Sequence, residues 1–171
     1  MKEEDLETVY AWRNLDRVRE FMFNSEVIEF EIHRKWFIKI LSQSDVDYQI
    51  LEYLGRPIGQ ANATNIDLIN KNCDWGFYLG EEGAERGSGT VLGLFMLDYL
   101  FENYQMENVC AQVLEKNTAS LGLHKKLGFI SVGQFEKELI NKSKVNVVKM
   151  SLDKNFWIDK SLELNSQLFA G

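Results

Sequence analysis

The sequence predicts a mixed α/β fold, one central and mostly antiparallel sheet with helices on both faces. Two features carry this. Between residues 48 and 79 three short apolar runs alternate with polar or glycine turns, as in an antiparallel meander. From residue 89 the period changes, and helical stretches alternate with strand-like runs. A chain of 171 residues is about one domain and can bury a sizeable core.

The elements follow in order. Glu3–Arg13 carries apolar residues at helical spacing, broken at Asn14 and Asp16, with a short helical turn over Val18–Phe23. Glu31–Ser42 is an amphipathic helix with Ile32, Trp36, Phe37, Ile40 and Leu41 expected on one side. Tyr48–Leu54 and Ile58–Ile66 read as a hairpin about a Gly55-Arg56-Pro57 turn, and Cys73–Leu79 as its third strand. A helix is expected over Gly89–Asn103 and a strand over Val109–Leu114. Asn117–Leu127 is a helix capped by Asn117 and ended by Gly128. Ile130–Phe135 and Val145–Leu152 complete the sheet around a Glu136–Lys144 loop, and Lys154–Ala170 is a tail of weak helical spacing.

Composition excludes several classes. The formal charge is −7 and no run of lysine and arginine exceeds two residues, which argues against a general nucleic-acid or membrane surface. No secretory segment opens the chain and no apolar run reaches the length of a membrane span, so a cytoplasmic location is expected. Cys73 and Cys110 sit in apolar strand-like runs without metal-ligand spacing. Buried free thiols and no metal are the expectation.

The stretch with the clearest chemistry is Arg86-Gly87-Ser88-Gly89-Thr90-Val91, between a strand and a helix. Its glycines let backbone amides turn toward one point, at the positive end of the helix dipole. Such a place suits a phosphate or pyrophosphate, and Arg86 adds a charge. The second motif lies downstream, Asn117-Thr118-Ala119-Ser120-Leu121-Gly122-Leu123-His124-Lys125-Lys126-Leu127-Gly128-Phe129.

Together these two motifs resemble the GNAT superfamily of acyl-CoA-dependent N-acetyltransferases. That family carries a pyrophosphate loop Arg/Gln-x-x-Gly-x-Gly/Ala, and here Val91 replaces the last small residue. Its later motif is Asn-x-x-Ser/Ala-x-x-hydrophobic-Tyr-x-x-x-Gly-Phe, and here His124 stands at the tyrosine position. The likeness implies a domain over residues 1–152 whose middle strands splay apart, with the family's first strand missing before Glu3. Residues 153–171 fall outside the family pattern, and a homodimer stays open.

The resemblance also implies roles. Acetyl-CoA would be the cofactor, held by Arg86, Gly87, Ser88, Gly89, Thr90 and Val91, by Asn117, Ser120 and Lys125, and along Phe77, Tyr78 and Leu79. A backbone N–H near Phe77–Leu79 would meet the thioester oxygen. His124, sharing a helix face with Ser120 and Asn117, would protonate the leaving thiolate; Glu115 is a candidate general base, and His33 is another if its helix start lines the acceptor pocket. No cysteine, serine or lysine is arranged as an activated nucleophile, so transfer would be direct.

A narrower likeness rests on Trp12-Arg13-Asn14, Phe21-Met22, His33 and Gly76-Phe77-Tyr78. These resemble a branch that acetylates the 4-amino group of a UDP-linked amino-dideoxy sugar, in pseudaminic acid synthesis for flagellin. Arg13, Asn14, His33, Thr64 and Tyr78 would then bind the UDP-amino sugar. The residues alone leave Arg13 open to pairing with Asp16 or Glu20, and Thr64 and Tyr78 open to packing. The WRN opening also occurs in a branch resembling ribosomal-protein N-terminal acetyltransferases, so a protein or small-amine acceptor stays open. So does an inert acyl-CoA-binding domain.

Overall fold

The computed structural model describes residues 1–139 and 142–169. A single turn at Glu3–Asp5 leads into α1 (Leu6–Asn14), α2 (Asp16–Arg19) and α3 (Phe30–Leu41). Then come β1 (Asp47–Tyr53), β2 (Arg56–Asp67), β3 (Asn72–Leu79) and α4 (Ser88–Glu102). β4 (Asn108–Leu114), α5 (Thr118–Lys126), β5 (Ile130–Glu138), β6 (Lys144–Asp153) and α6 (Lys154–Phe169) complete the order. The six strands form one sheet in the order β1-β2-β3-β4-β6-β5, antiparallel except between β3 and β4. The mixed α/β class is as expected.

Several boundaries differ from the sequence reading. The first hairpin turns on Leu54-Gly55, both at positive φ, so Tyr53 pairs with Arg56 and Pro57 already lies in β2. The last hairpin is longer than expected, because Glu136, Lys137 and Glu138 pair with Asn146, Val145 and Lys144. β5 is an edge strand exposed along most of its length, so hydrophobic alternation does not mark it. The Glu136–Lys144 loop and the Lys154–Ala170 tail each include residues outside those described. In α3, His33, Phe37 and Ile40 form the buried face, whereas Ile32 and Leu41 are exposed. Among the described residues no strand precedes α1, and β1 has a neighbour on one side only.

Alternation along the strands divides the molecule into two layers. Ala61 and Ala63 of β2, Cys73 and Trp75 of β3, and Val109, Ala111 and Val113 of β4 face one way into the main core. That core is closed by Leu92, Leu94, Leu97, Leu100 and Phe101 of α4, with Trp157 and Leu164 of α6. The opposite face presents Gln60, Asn62 and Thr64 with Asp74, Gly76 and Tyr78, toward α1 and α3. One face is apolar; the other carries the polar side chains.

The segment set apart as a tail is therefore an element of the core. Trp157 is 2% exposed, stacks on Phe101 and donates from Nε1 to Asp98 Oδ1 at 2.8 Å. Trp157→Ala should lower stability by about 3–5 kcal/mol, the usual cost of truncating a buried large aromatic. Denaturant unfolding measures this, and an unchanged midpoint would detach α6 from the core.

Candidate active site

The site begins where β3 and β4 part. They pair only through Asn72, Cys73 and Asp74 with Asn108, Val109 and Cys110. Beyond that, β3 stays with β2 to Leu79, and β4 stays with β6 to Leu114. The amide of Gly80 bonds the Ile58 carbonyl on β2. By the alternation of an antiparallel pair, the backbone groups of Trp75, Phe77 and Leu79 point the other way, into the gap. Arg17 takes up the last of them, donating from Nη1 to the Leu79 carbonyl at 3.0 Å and from Nη2 to that of Gly80.

A cavity of about 900 Å³ occupies this gap and the polar face beside it. Five buried side-chain polar atoms lack a hydrogen-bond partner among the described residues: Arg13 Nη1, His33 Nε2, Trp75 Nε1, Tyr78 Oη and His124 Nε2. All five residues line the cavity. Buried polar groups are normally paired, so such a cluster marks where a ligand completes the structure.

One end is built from α1, α3 and the polar face. The Trp12 indole lies against Gly80, where a Cβ would come within 1.9 Å of Cδ2. Tyr78 meets Trp12 edge-on at 6.3 Å. Arg13, next in the chain, is flanked by Tyr78, Tyr48 and His33. Burial pulls its pKa down, and no carboxylate pairs with it among the described residues. Asp16, its candidate partner on the helix surface, is taken by Arg19. Burial likewise raises the Tyr78 and Tyr48 phenols, keeping both protonated. Thr64 lines the cavity on β2. Asn14 does not: its amide accepts from the Ile28 N–H at 2.8 Å and donates to the Ile28 carbonyl at 3.0 Å, so it pins the loop before α3.

The other end is built from α5, and the glycine loop packs against that helix without lining the cavity itself. The Asn117 side chain accepts from the Ser120 amide at 3.0 Å and starts α5. His124, 2% exposed, sits one turn beyond Ser120 among Trp75, Phe77 and Phe129, with ring centroids 5.0–5.6 Å away. Its Nδ1 lies 2.8 Å from the Ser120 carbonyl oxygen and 3.3 Å from Ser120 Oγ. Burial lowers its pKa, only partly offset by that bond. Gly87 has φ +101 at the entry to α4, and the amides of Gly87 and Gly89 make no hydrogen bond among the described residues. Gly89 abuts Leu123 of α5, at 3.0 Å from where a Cβ would sit. Arg86 is exposed, Ser88 bonds back to Glu85, and Val91 bonds Gly87. Free amides, an open glycine cradle and a nearby arginine suit the diphosphate of coenzyme A.

Two candidates are placed differently from their expected roles. Lys126, not Lys125, reaches the loop: both are exposed, but it is the Lys126 Nζ that donates to Thr90 Oγ1, at 3.1 Å. Thr90 is thus buried against α5. Glu115 does not line the cavity; it is exposed and accepts from Asn146 Nδ2 at 2.9 Å. Cys73 is a buried free thiol pushed up to about 12, and Cys110 is free and half-buried. Among the described residues no three metal-ligating side chains cluster, and no helix is long and apolar enough to cross a membrane.

The sequence reading missed Arg17, Tyr48, Gln60 and Asn62, all in the cavity wall. Gln60 and Asn62 had a signal, the period of two that leads to Thr64. Trp36 was read as a packing residue with Phe37, but it lines the cavity while Phe37 is in the core.

A sheet opened between two parallel strands, with a histidine in the gap and a glycine loop packed on the histidine's helix, has the form of an acyl-CoA-dependent transferase. The comparisons agree: the acetyltransferase (GNAT) domain model matches residues 1–130, and the chain belongs to that family. It is an acetyl-CoA-dependent N-acetyltransferase. It is 26% identical over 129 residues to the acetyltransferase PseH of Campylobacter jejuni, covering 75% of this chain and 79% of that protein. An uncharacterized N-acetyltransferase of Bacillus subtilis, YokL, is 28% identical over 111 residues, which are 64% of this chain and 62% of that protein. Among solved structures, the spermidine N-acetyltransferase of Vibrio cholerae in complex with CoA and spermine superposes with a TM-score of 0.84 at 18% identity. That match covers 92% of this chain and 95% of that one, and shows the fold.

The lowered histidine pKa values carry a pH dependence. His33 and His124 are both held below the ordinary value of 6.5 by burial. An unfolded chain therefore binds protons that the folded chain refuses, so stability is full above pH 6.5 and is lost as pH falls through the folded values. His124→Asn should flatten the decline of the melting temperature between pH 7 and pH 5. An identical decline would mean that His124 titrates alike in both states.

Proposed function

We propose that this enzyme acetylates the amino group of a nucleotide-linked amino sugar, with the 4-amino group of a UDP-linked amino-dideoxy sugar as its acceptor. The observation that carries this reading is Arg13. A buried guanidinium without a carboxylate is costly unless something anionic meets it. Its Nη1 is buried without a partner, and Arg13 lines the cavity with Tyr78 and His33, whose hydroxyl and Nε2 are likewise unpartnered. A diphosphate matches the planar fork of arginine, and sugar hydroxyls match the hydroxyl and imidazole. Thr64, Asn62 and Gln60 line the same face and suit a sugar ring. The likeness to PseH supports the same acceptor class.

A polyamine fits less well. Asp74 is the one carboxylate among the described cavity residues, against Arg13 and Arg17, and it already accepts from Asn65 at 2.8 Å. The likeness to a spermidine acetyltransferase is therefore one of fold.

In this reading the amides of Gly87 and Gly89, with Arg86, hold the coenzyme diphosphate, and Asn117 and Ser120 flank the thioester arm. The bound acetyl-CoA supplies an activated acyl carbon. The Phe77 amide, directed into the gap, would be the donor placed to meet the carbonyl oxygen of that acyl group. The cavity walls exclude water and align the amine for direct attack.

Thiol release from acetyl-CoA should follow addition of a UDP-4-amino sugar, and not of spermidine or a peptide; release with either of those overturns the acceptor. Arg13→Met should raise the acceptor KM by about 10- to 100-fold, the worth of hydrogen bonds to a charged partner. The acetyl-CoA KM should hold. Equal effects on both substrates would remove Arg13 from the acceptor site.

A further inference from the structure

One nitrogen of His124 is committed and the other is free. The Ser120 carbonyl oxygen can only accept, so Nδ1, at 2.8 Å, carries the ring hydrogen. In the neutral ring Nε2 is then a bare lone pair. It is buried without a partner, on a residue that lines the cavity at the strand gap. The side chains packed on the imidazole are Trp75 and Phe77 from β3, Phe129 after α5, and Ser120 on its own helix. None of them carries a charge. The charged groups on the same cavity are Arg13, Arg17 and Asp74.

This orientation does not suit a histidine that acts only as a proton donor. We propose that His124 is a single proton carrier for the whole transfer: Nε2 takes a proton from the acceptor amine as the N–C bond forms, and gives it to sulfur as the C–S bond breaks. The amine enters neutral, having left its ammonium proton to solvent. One N–H bond is lost, one S–H bond is gained, the C–S electron pair leaves on sulfur, and the imidazole ends as it began. The Ser120 carbonyl, bonded to Nδ1–H throughout, steadies the ring while it is charged. Burial keeps the ring neutral at rest, ready to accept.

No other group in the cavity takes the base role as well. His33 also lines the cavity with an unpartnered Nε2, but its ring packs on Tyr10, Trp36 and Phe37 at the end that holds Arg13, not on the strands of the gap. Glu115 lies outside, the Tyr78 phenol is pushed up by burial, and Asp74 is engaged by Asn65. The proposal rests on acetyl transfer and deepens it by making the general base and the general acid one residue.

Two measurements test it. In ¹⁵N imidazole spectra of the ligand-free protein at pH 7, His124 should appear neutral with its hydrogen on Nδ1. An imidazolium, or hydrogen on Nε2, overturns the proposal. Kinetics are then read with whichever amine turns over best. There kcat should fall toward acid and stay level above neutrality. At pH 7, His124→Tyr, which can donate but is no base there, should lower kcat by about 10²-fold or more. His124→Asn should do the same while CoA still raises the melting temperature, which separates lost chemistry from lost fold. Full activity in His124→Tyr, or a wild-type kcat that declines as pH rises from 6 to 8, overturns the single-carrier role. Neither measurement requires the acceptor to be a nucleotide sugar, so the two proposals fail separately.

Discussion

The site depends on a short seam, the three-residue parallel pairing at the base of β3 and β4. Beyond the seam the strands part, and each keeps its outer antiparallel neighbour to its end, β2 for β3 to Leu79 and β6 for β4 to Leu114. Backbone groups at Phe77 and Leu79 are left without a strand partner. A polar opening is thereby built through the middle of the sheet, where an ordinary fold would be most apolar.

The molecule offsets this opening elsewhere. On the far face α4 and α6 bury a continuous apolar layer that includes Trp75, Leu97, Leu100, Met150 and Trp157. Arg17 ties the free end of β3, and Trp12 docks on Gly80 so that Arg13 enters the cavity from a fixed point. Among the described residues, the buried side-chain groups without a partner all belong to residues that line that cavity. Each is a cost to the free protein that a ligand completing its hydrogen bonds would relieve.

Local motifs were legible in the sequence, and long-range neighbours were not. The Asn117 cap, the Gly128 stop and the positive φ of Gly87 follow from residue type within a few positions. Arg13, His33, Thr64 and Tyr78 were readable as a set only through likeness to a family, since they come from α1, α3, β2 and β3. Asn14 shows the limit: its side chain suits a sugar hydroxyl equally well, yet the Ile28 backbone occupies it. Glu115 shows another, because a residue two positions before a helix cap can face solvent or cleft, and Asn146 of β6 decided for solvent. The edge strand β5 was under-read because exposure on both faces removes the hydrophobic period.

The sequence by itself determined the class of fold, the glycine loop with its helix, and the histidine on the capped helix. Spacing and backbone conformation encode these within single elements. Only the tertiary structure decided which nitrogen of His124 is free, that Lys126 and not Lys125 meets the loop, and that Arg13 pairs with no carboxylate among the described residues. A tautomer, a contact or a missing charge partner depends on which side chains meet across elements far apart in the chain, and burial then sets what each meeting is worth.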